Sequence, residues 1–268
     1  MPRLIRSLAA RSLPEAVKRK IRPLYNTLFQ NRRAAGRVAI MNAGGYEVAF
    51  RPGTVDEAVI GHSFANDIFF SGVPEYVPND DDVIIDVGSH IGTFALLAAS
   101  KVPRGRVYAI EACKESFDLL RINIALNRVD TIDAEHIALS DNDGQTFLFH
   151  TDDNWGHSIV AQNGSHGESV ACEALSSFVQ RRGIERCAFM KMNCEGAEFR
   201  IILGASMEVL SRFDTILVLY HCDLAGNCSE RALLEHLNSA GFATSIRERT
   251  EQRGWIIARN SGRHALGH

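Results

Sequence analysis

The chain has 268 residues, of which 46% are apolar and 23% charged, and its formal net charge is −3. That length fits one α/β domain with an N-terminal extension, or two small domains, and the apolar share suffices for a sizeable core. The near-neutral charge gives no general case for nucleic acid as a partner, and no apolar run approaches the ~20 residues of a membrane helix.

Residues 1–37 read as a basic arm. Arginines and lysines from Arg3 to Arg37 face a single acid, Glu15, and Pro14 and Pro23 bracket a short helix over Glu15 to Arg22. A solvated or docked helical arm is the expectation, with peripheral membrane contact as the alternative. Residues 38–82 read as a hairpin and a helix. The hairpin turns at Ala43-Gly44-Gly45, and Thr54 or Asp56 caps a helix running towards Phe70. Pro74, Pro78 and Asn79 to Asp82 lead into the third segment, residues 83–262.

Val83 to Glu111 organises that segment. Val83-Ile84-Ile85 is an apolar strand ending at Asp86, and the glycine loop Gly88-Ser89-His90-Ile91-Gly92 follows. Thr93 to Lys101 is a helix, and Arg106 to Ile110 a second strand ending at Glu111. A strand–helix–strand crossover makes these strands parallel neighbours. Gly88 permits a tight turn, and Gly92 lets a helix begin close to a ligand. Glu111 can accept both hydroxyls of a ribose. The loop is Asp-x-Gly-x-x-x-Gly, unlike the Gly-x-Gly-x-x-Gly of dinucleotide sites. Its acid suits a cationic or amine-bearing ligand better than a pyrophosphate, which favours S-adenosylmethionine over a nicotinamide dinucleotide.

Further on, Lys114 to Asn127 is a helix with Phe117, Leu120, Ile124 and Leu126 as its apolar stripe and Ser116, Asp118 and Asn123 outside it. Ala134 to Leu139 is a third strand and Thr146 to His150 an outer one. Thr151 to Gly167 is a long polar stretch, and Leu175 to Arg182 a short helix. Ala188 to Asn193 is the fourth core strand, and Cys194 to Glu198 turns into a helix ending near Gly204. Thr215 to Tyr220 is an apolar strand followed by His221. After a helix over Glu230 to Ala240, Phe242 to Arg247 and Trp255 to Arg259 form an antiparallel hairpin. The expected fold is a Rossmann-like, doubly wound, mostly parallel sheet with that hairpin at its C-terminal edge. Ligands bind beyond the carboxyl ends of such strands, where their order reverses. Asp86, Glu111, Ser140, Asp141, Asn193, Glu195 and His221 fall there. The six cysteines are scattered without a CxxC pair, and the chain does not open like a signal peptide. Reduced thiols and a cytoplasmic location are expected.

Several of these stretches together resemble the FkbM-type family of S-adenosylmethionine-dependent methyltransferases. They are Ile85 to Gly92, Ala109-Ile110-Glu111, Ala138 to Asp141 and Lys191 to Glu198, with Arg51 to Asp56 upstream. The resemblance implies that Asp86, Gly88 and Gly92 shape a methionine pocket. It implies that Glu111 holds the ribose and that Ser140 and Asp141 lie near the adenine. His90 and Asn193 join the cofactor-binding set, although the family usually carries Asp at the position of Asn193. It further implies O-methylation of a hydroxyl on a sugar, glycolipid or natural product, with a small-molecule or glycoside acceptor as partner.

Methyl transfer is an in-line displacement that requires alignment and benefits from a base. His221 and Glu195 are the candidate catalytic residues, both following core strands. Trp155, His157 and Ser158, on the long polar stretch, are candidates for acceptor contact. His221, Asp223 and Cys228 have no established ligand spacing, so no metal site is expected. The competing readings are a nicotinamide-dependent oxidoreductase and a non-catalytic ligand-binding module.

Overall fold

The computed structural model describes residues 38–150, 157–160, 166–226 and 228–264. The basic arm and Trp155 lie outside them. Strands β1 (Ala39–Ala43) and β2 (Tyr46–Phe50) form the expected hairpin. Helix α1 (Asp56–Ile60) follows and passes into a single π-helical turn, Gly61–Ala65. The helix expected to reach Phe70 therefore stops short. Asp67, with φ of 40°, accepts the Phe70 N–H on its side chain in a turn.

The core is β3 (Val83–Val87), α2 (Thr93–Lys101), β4 (Arg106–Ile110), α3 (Lys114–Asn127) and β5 (Ile132–Glu135), then β9 (Cys187–Met192), α5 (Ala197–Gly204), β10 (Phe213–His221), α7 (Glu230–Ser239), β11 (Phe242–Arg247) and β12 (Arg253–Asn260). Its seven strands run in the order β11-β12-β10-β9-β3-β4-β5. Strands β5, β4, β3, β9 and β10 are parallel, and β12 pairs antiparallel with both β10 and β11. The sheet is the doubly wound one expected, and the order reverses between β3 and β9.

Consecutive apolar residues serve opposite faces. Ile84, Phe189 and Leu217 join one core with Phe70, Phe94 and Leu120. Their neighbours Ile85, Met190 and Val218 join the other, with Phe178, Phe199 and Leu237. That is why these strands carry unbroken apolar runs rather than alternation.

Three further features differ from the sequence-based expectation. The single third strand is two, because the chain leaves the main sheet after β5. Residues Ala138–Ser140 form β6 of a separate sheet with β7 (Gly144–Phe149) and β8 (Gly167–Ala174). Strand β8 begins at the end of the polar stretch and has no counterpart among the expected elements. Ser116, Asp118 and Asn123 are buried rather than solvated. The hairpin covers the Asn123 side of α3, where Asn123 pairs with both the N–H and the carbonyl of Ala49 and donates to Ile91 O, whereas Asp118 pairs with Lys114. Short helices α4 (Leu175–Arg181), α6 (Met207–Leu210) and α8 (Ser261–His264) complete the fold.

Candidate active site

A cavity of about 300 Å³ opens at the carboxyl ends of β3, β4 and β9, where the strand order reverses. Two loops meet there. Gly88 and Ser89 both donate their N–H to Ile110 O at 3.0 Å, which ties the β3 loop to the end of β4. Gly88 has φ of 75°, and a Cβ on it would fall 1.9 Å from the carbonyl oxygen of Asn193. Only glycine lets the β3 and β9 loops approach this closely. Gly92 has another reason. A Cβ there would lie 2.3 Å from Leu120 Cδ1. Its constraint combines a left-handed φ of 85° with this packing on α3, and it does not line the cavity.

Asp86 is wholly buried. Its Oδ1 accepts from Lys191 Nζ at 3.0 Å, and the same ammonium donates to Gly88 O at 2.8 Å. The acid expected to face a ligand's positive charge is thus answered from within the sheet, and Lys191, not Asp86, lines the cavity. Sequence reasoning assigns Lys191 no role. A lysine inside the apolar strand Phe189-Met190-Lys191-Met192 is the available signal, since an unpaired buried ammonium is prohibitively costly.

Glu111 lines the cavity and is held in place by two N–H donors, His90 at 2.7 Å and Cys113 at 2.8 Å. Burial pushes its carboxyl up, the two N–H groups pull it back, and the net lies above the usual carboxylate range. His90, with φ of 53°, also lines the cavity. Its Nε2 lies 3.3 Å from both the Arg51 guanidinium and Asp56 Oδ1. Burial lowers its pKa to about 4 against the pull of Asp56, so the ring is neutral near neutral pH. Arg51 and Asp56 form a buried bidentate pair, and Arg51 also donates to Ser116 Oγ on α3 at 3.1 Å, which ties the segment before β3 to the site. That segment contributes Val55, Val59, His62 and Phe69 to the lining, none of which the sequence singles out.

On the β9 side, Asn193 and Glu195 line the cavity. Asn193 Oδ1 is buried without a hydrogen-bond partner among the described residues. Glu195 adopts φ of 51°, a conformation that costs a non-glycine residue about 1–2 kcal/mol. Burial raises its pKa, and the charges of His221 and Arg253 only partly offset that. His221 is the last residue of β10, fully buried and not part of the lining. Its Nδ1 lies 3.0 Å from Glu198 Oε1, and its Nε2 3.6 Å from Glu195 Oε2. Burial opposes protonation of the ring, yet the hydrogen bond and charge of Glu198, with the charge of Glu195, raise its pKa above the ordinary histidine value. The sequence places both His221 and Glu195 at the ligand; the structure brings them together, but only Glu195 reaches the cavity.

Ser140 and Asp141 do not line the cavity either. Ser140 Oγ donates to Asp141 Oδ1 at 3.0 Å, and Asp141 packs against Gly204 at the end of α5. The preceding residues, Ile137, Ala138 and Leu139, form the wall instead. His157 is part of the lining. Ser158 is buried, and its Oγ donates to Glu195 O at 2.6 Å, which fastens the chain after β7 to the Glu195 turn. Trp255 and Glu248 from the C-terminal hairpin complete the wall and carry no sequence signal.

A family model described as the methyltransferase FkbM domain matches residues 86–243. The chain belongs to this family. It is an S-adenosylmethionine-dependent methyltransferase, which sets aside the nicotinamide-dependent and non-catalytic readings. It is 28% identical over 236 residues to the 31-O-demethyl-FK506 methyltransferase FkbM of Streptomyces tacrolimicus, covering 76% of this chain and 85% of that one. It is 25% identical over 186 residues to the hexuronic acid methyltransferase AglP of Haloferax volcanii, covering 67% and 71% respectively. The human methyltransferase 10 domain containing protein shares the fold, with a TM-score of 0.51 at 15% identity over 93% of this chain and 98% of that one. Among the described residues, no helix of this methyltransferase is long and apolar enough to cross a membrane.

Proposed function

We propose that this methyltransferase modifies a hydroxyl oxygen of a small-molecule or glycoside acceptor, with Glu195 receiving the hydroxyl proton. The observation that carries the reading is the Glu195 carboxylate at the cavity wall, held in a left-handed conformation with His221 Nε2 3.6 Å away. Burial raises its pKa, which brings a carboxylate closer to the range where it serves as a base near neutral pH. His221 then acts through Glu195, as a positioning residue rather than as the base. Asn193 is an amide and cannot take the proton. The acceptor class is supported by two relatives, one named for 31-O-demethyl-FK506 and the other for hexuronic acid.

The chemistry of the lining fits the cofactor. When bound, S-adenosylmethionine supplies a methyl carbon on a positively charged sulfur. Glu111, already oriented by two N–H groups, would hold the ribose hydroxyls. Asn193 Oδ1, His90 and the Gly88 loop would hold the methionine moiety. Ile137, Ala138 and Leu139 offer the apolar face for the adenine that Ser140 and Asp141 do not. Asp86 shapes this pocket through Lys191 and Gly88 rather than by contact. His157, on the cavity wall, falls to the acceptor, with Ser158 behind it. Residues 83–262 form the methyltransferase unit, with 38–82 roofing its cavity, and a cytoplasmic setting suits the free cysteines.

The test is a Glu195→Gln variant assayed by S-adenosylhomocysteine release over a panel of hydroxylated glycosides and polyketides, with product NMR to locate the methyl group. We expect kcat to fall by roughly 10²–10⁴-fold, the usual worth of a positioned base, while cofactor affinity stays near that of the parent. A Glu195→Gln enzyme with parental kcat would remove the base role, and a methyl group found on nitrogen or carbon would remove the acceptor class.

A further inference from the structure

We propose that Cys113, His150 and Glu168 hold a divalent metal ion of the zinc type beside the cavity. One donor atom from each of the three lies within 4.8 Å of the others. They come from separate elements: Cys113 precedes α3, His150 follows β7, and Glu168 sits on β8. The antiparallel pairing of β7 with β8 sets His150 beside Glu168, and Cys113 meets them from the end of β4, so a thiol joins an imidazole and a carboxylate. Sequence spacing gives no hint of them.

The donor set is chemically selective. Sulfur, nitrogen and one carboxylate oxygen suit zinc, whereas magnesium and calcium prefer oxygen alone. A thiolate and a carboxylate together neutralise a divalent ion, and the imidazole binds in its neutral form. Zinc bonds of about 2.0–2.3 Å in a tetrahedron set the donors roughly 3.5 Å apart. His150 Nε2 and Glu168 Oε1 already stand 3.4 Å apart. The Nε2 atom is buried yet has no hydrogen-bond partner among the described residues. Glu168 Oε1 also accepts the Lys114 N–H at 2.9 Å, an outer contact of the kind that orients metal-bound carboxylates. The His157 ring packs on that of His150, 4.6 Å away centroid to centroid.

An ion here would pin the ends of β7 and β8 to the corner between β4 and α3. That corner also carries Glu111, whose carboxylate accepts the Cys113 N–H. His157, Leu148 and Ile159 on the pinned side line the cavity. The ion's role is therefore to fix one wall of the site.

The test is to strip the purified full-length chain with a chelator and titrate it with Co²⁺, then with Zn²⁺. We expect one Co²⁺ per chain, a sulfur-to-cobalt charge-transfer band, and displacement of both by Zn²⁺. Cys113→Ser should abolish the band. Glu168→Gln keeps an acceptor for the Lys114 N–H but loses the charge, and should weaken Co²⁺ by more than about 10-fold, the least that even outer-shell changes cost such sites. If Cys113→Ser does not fold by circular dichroism, Glu168→Gln and His150→Ala decide. No sulfur band in the parent chain, a band that survives Cys113→Ser, or undiminished affinity in both of the other variants overturns the proposal. None of these readouts depends on methyl transfer.

Discussion

Lys191 on β9 and Asp86 on the adjacent strand β3 stand opposite each other in register, with Nζ 3.0 Å from Oδ1 and both side chains buried. The pair joins the two strands between which the sheet order reverses. Its ammonium also braces the Gly88 carbonyl at the start of the glycine loop. Lys191→Met would leave a buried carboxylate without its partner, a change that costs about 3–5 kcal/mol. Urea unfolding should show that loss, and adding Asp86→Asn to the same chain should recover part of it. An unchanged midpoint in Lys191→Met would show that the pair contributes nothing to the fold.

Two glycines with left-handed backbones separate conformational cost from steric cost. Gly45 has φ of 85° and nothing within 4 Å of where a Cβ would stand, whereas Gly88 has φ of 75° and the Asn193 oxygen at 1.9 Å. Gly45→Ala should therefore lose only the left-handed penalty of about 1–2 kcal/mol and leave cofactor binding intact. Gly88→Ala must displace the β9 loop as well. We expect a larger loss of stability, and at least a roughly 10-fold weaker S-adenosylmethionine titration, which is about 1.4 kcal/mol. Equal effects of the two substitutions would refute the close approach.

The sheet is legible in the sequence because strands buried on both faces read as unbroken apolar runs, as Phe189-Met190 and Leu217-Val218 do. The glycine loop is legible because Gly88 has no substitute in its position. What escapes is decided by distant contacts. Asn123 looks like a solvent-facing residue until the β2 edge is laid over α3. Asp86 looks like a ligand for a cation until Lys191 is brought alongside from a strand 105 residues away. Strand β6 brings Ala138 and Leu139 to the cavity but carries Ser140 and Asp141 past it to the end of α5, for which the local sequence has no signal. Nothing in the sequence marks Val55, Phe69 or Trp255 individually, and only the tertiary fold makes them walls of a cavity.

His90 gives the fold an acid-sensitive element. Its ring is held neutral by burial, with a pKa of about 4 against an ordinary 6.5. A depressed folded-state value means that the unfolded chain binds the proton first. The contribution is fully present above pH 6.5 and is lost as the pH falls towards 4. A shift of that size corresponds to roughly 3 kcal/mol. Urea midpoints measured across this window should decline in the parent chain and decline less in His90→Gln. Parallel curves for the two would contradict the burial of a neutral ring.

Glu198 is the buried hub on the opposite side. It is wholly buried, and its carboxylate accepts the Gly196 N–H at 2.9 Å and both the backbone N–H and the ring Nδ1 of His221, at 2.7 and 3.0 Å. Nδ1–H donation to Glu198 directs Nε2 towards Glu195. The same contact outweighs burial and raises the histidine pKa above 6.5. A raised folded-state value gives a stabilisation that is fully present below pH 6.5 and is lost as the pH rises through the folded value. Glu198→Gln keeps an acceptor of similar shape but removes the charge. The stability gap between parent and variant should then be widest below pH 6.5 and narrow above it, and the imidazole titration followed by NMR should move to lower pH. Because Glu195 loses its fixed neighbour, kcat should fall by up to about 100-fold, the cost of misplacing a reacting group by an ångström, with acceptor KM little changed. An unshifted His221 titration in Glu198→Gln would mean that the carboxylate neither holds the ring nor sets its charge, and the link from Glu198 through His221 to Glu195 would be lost.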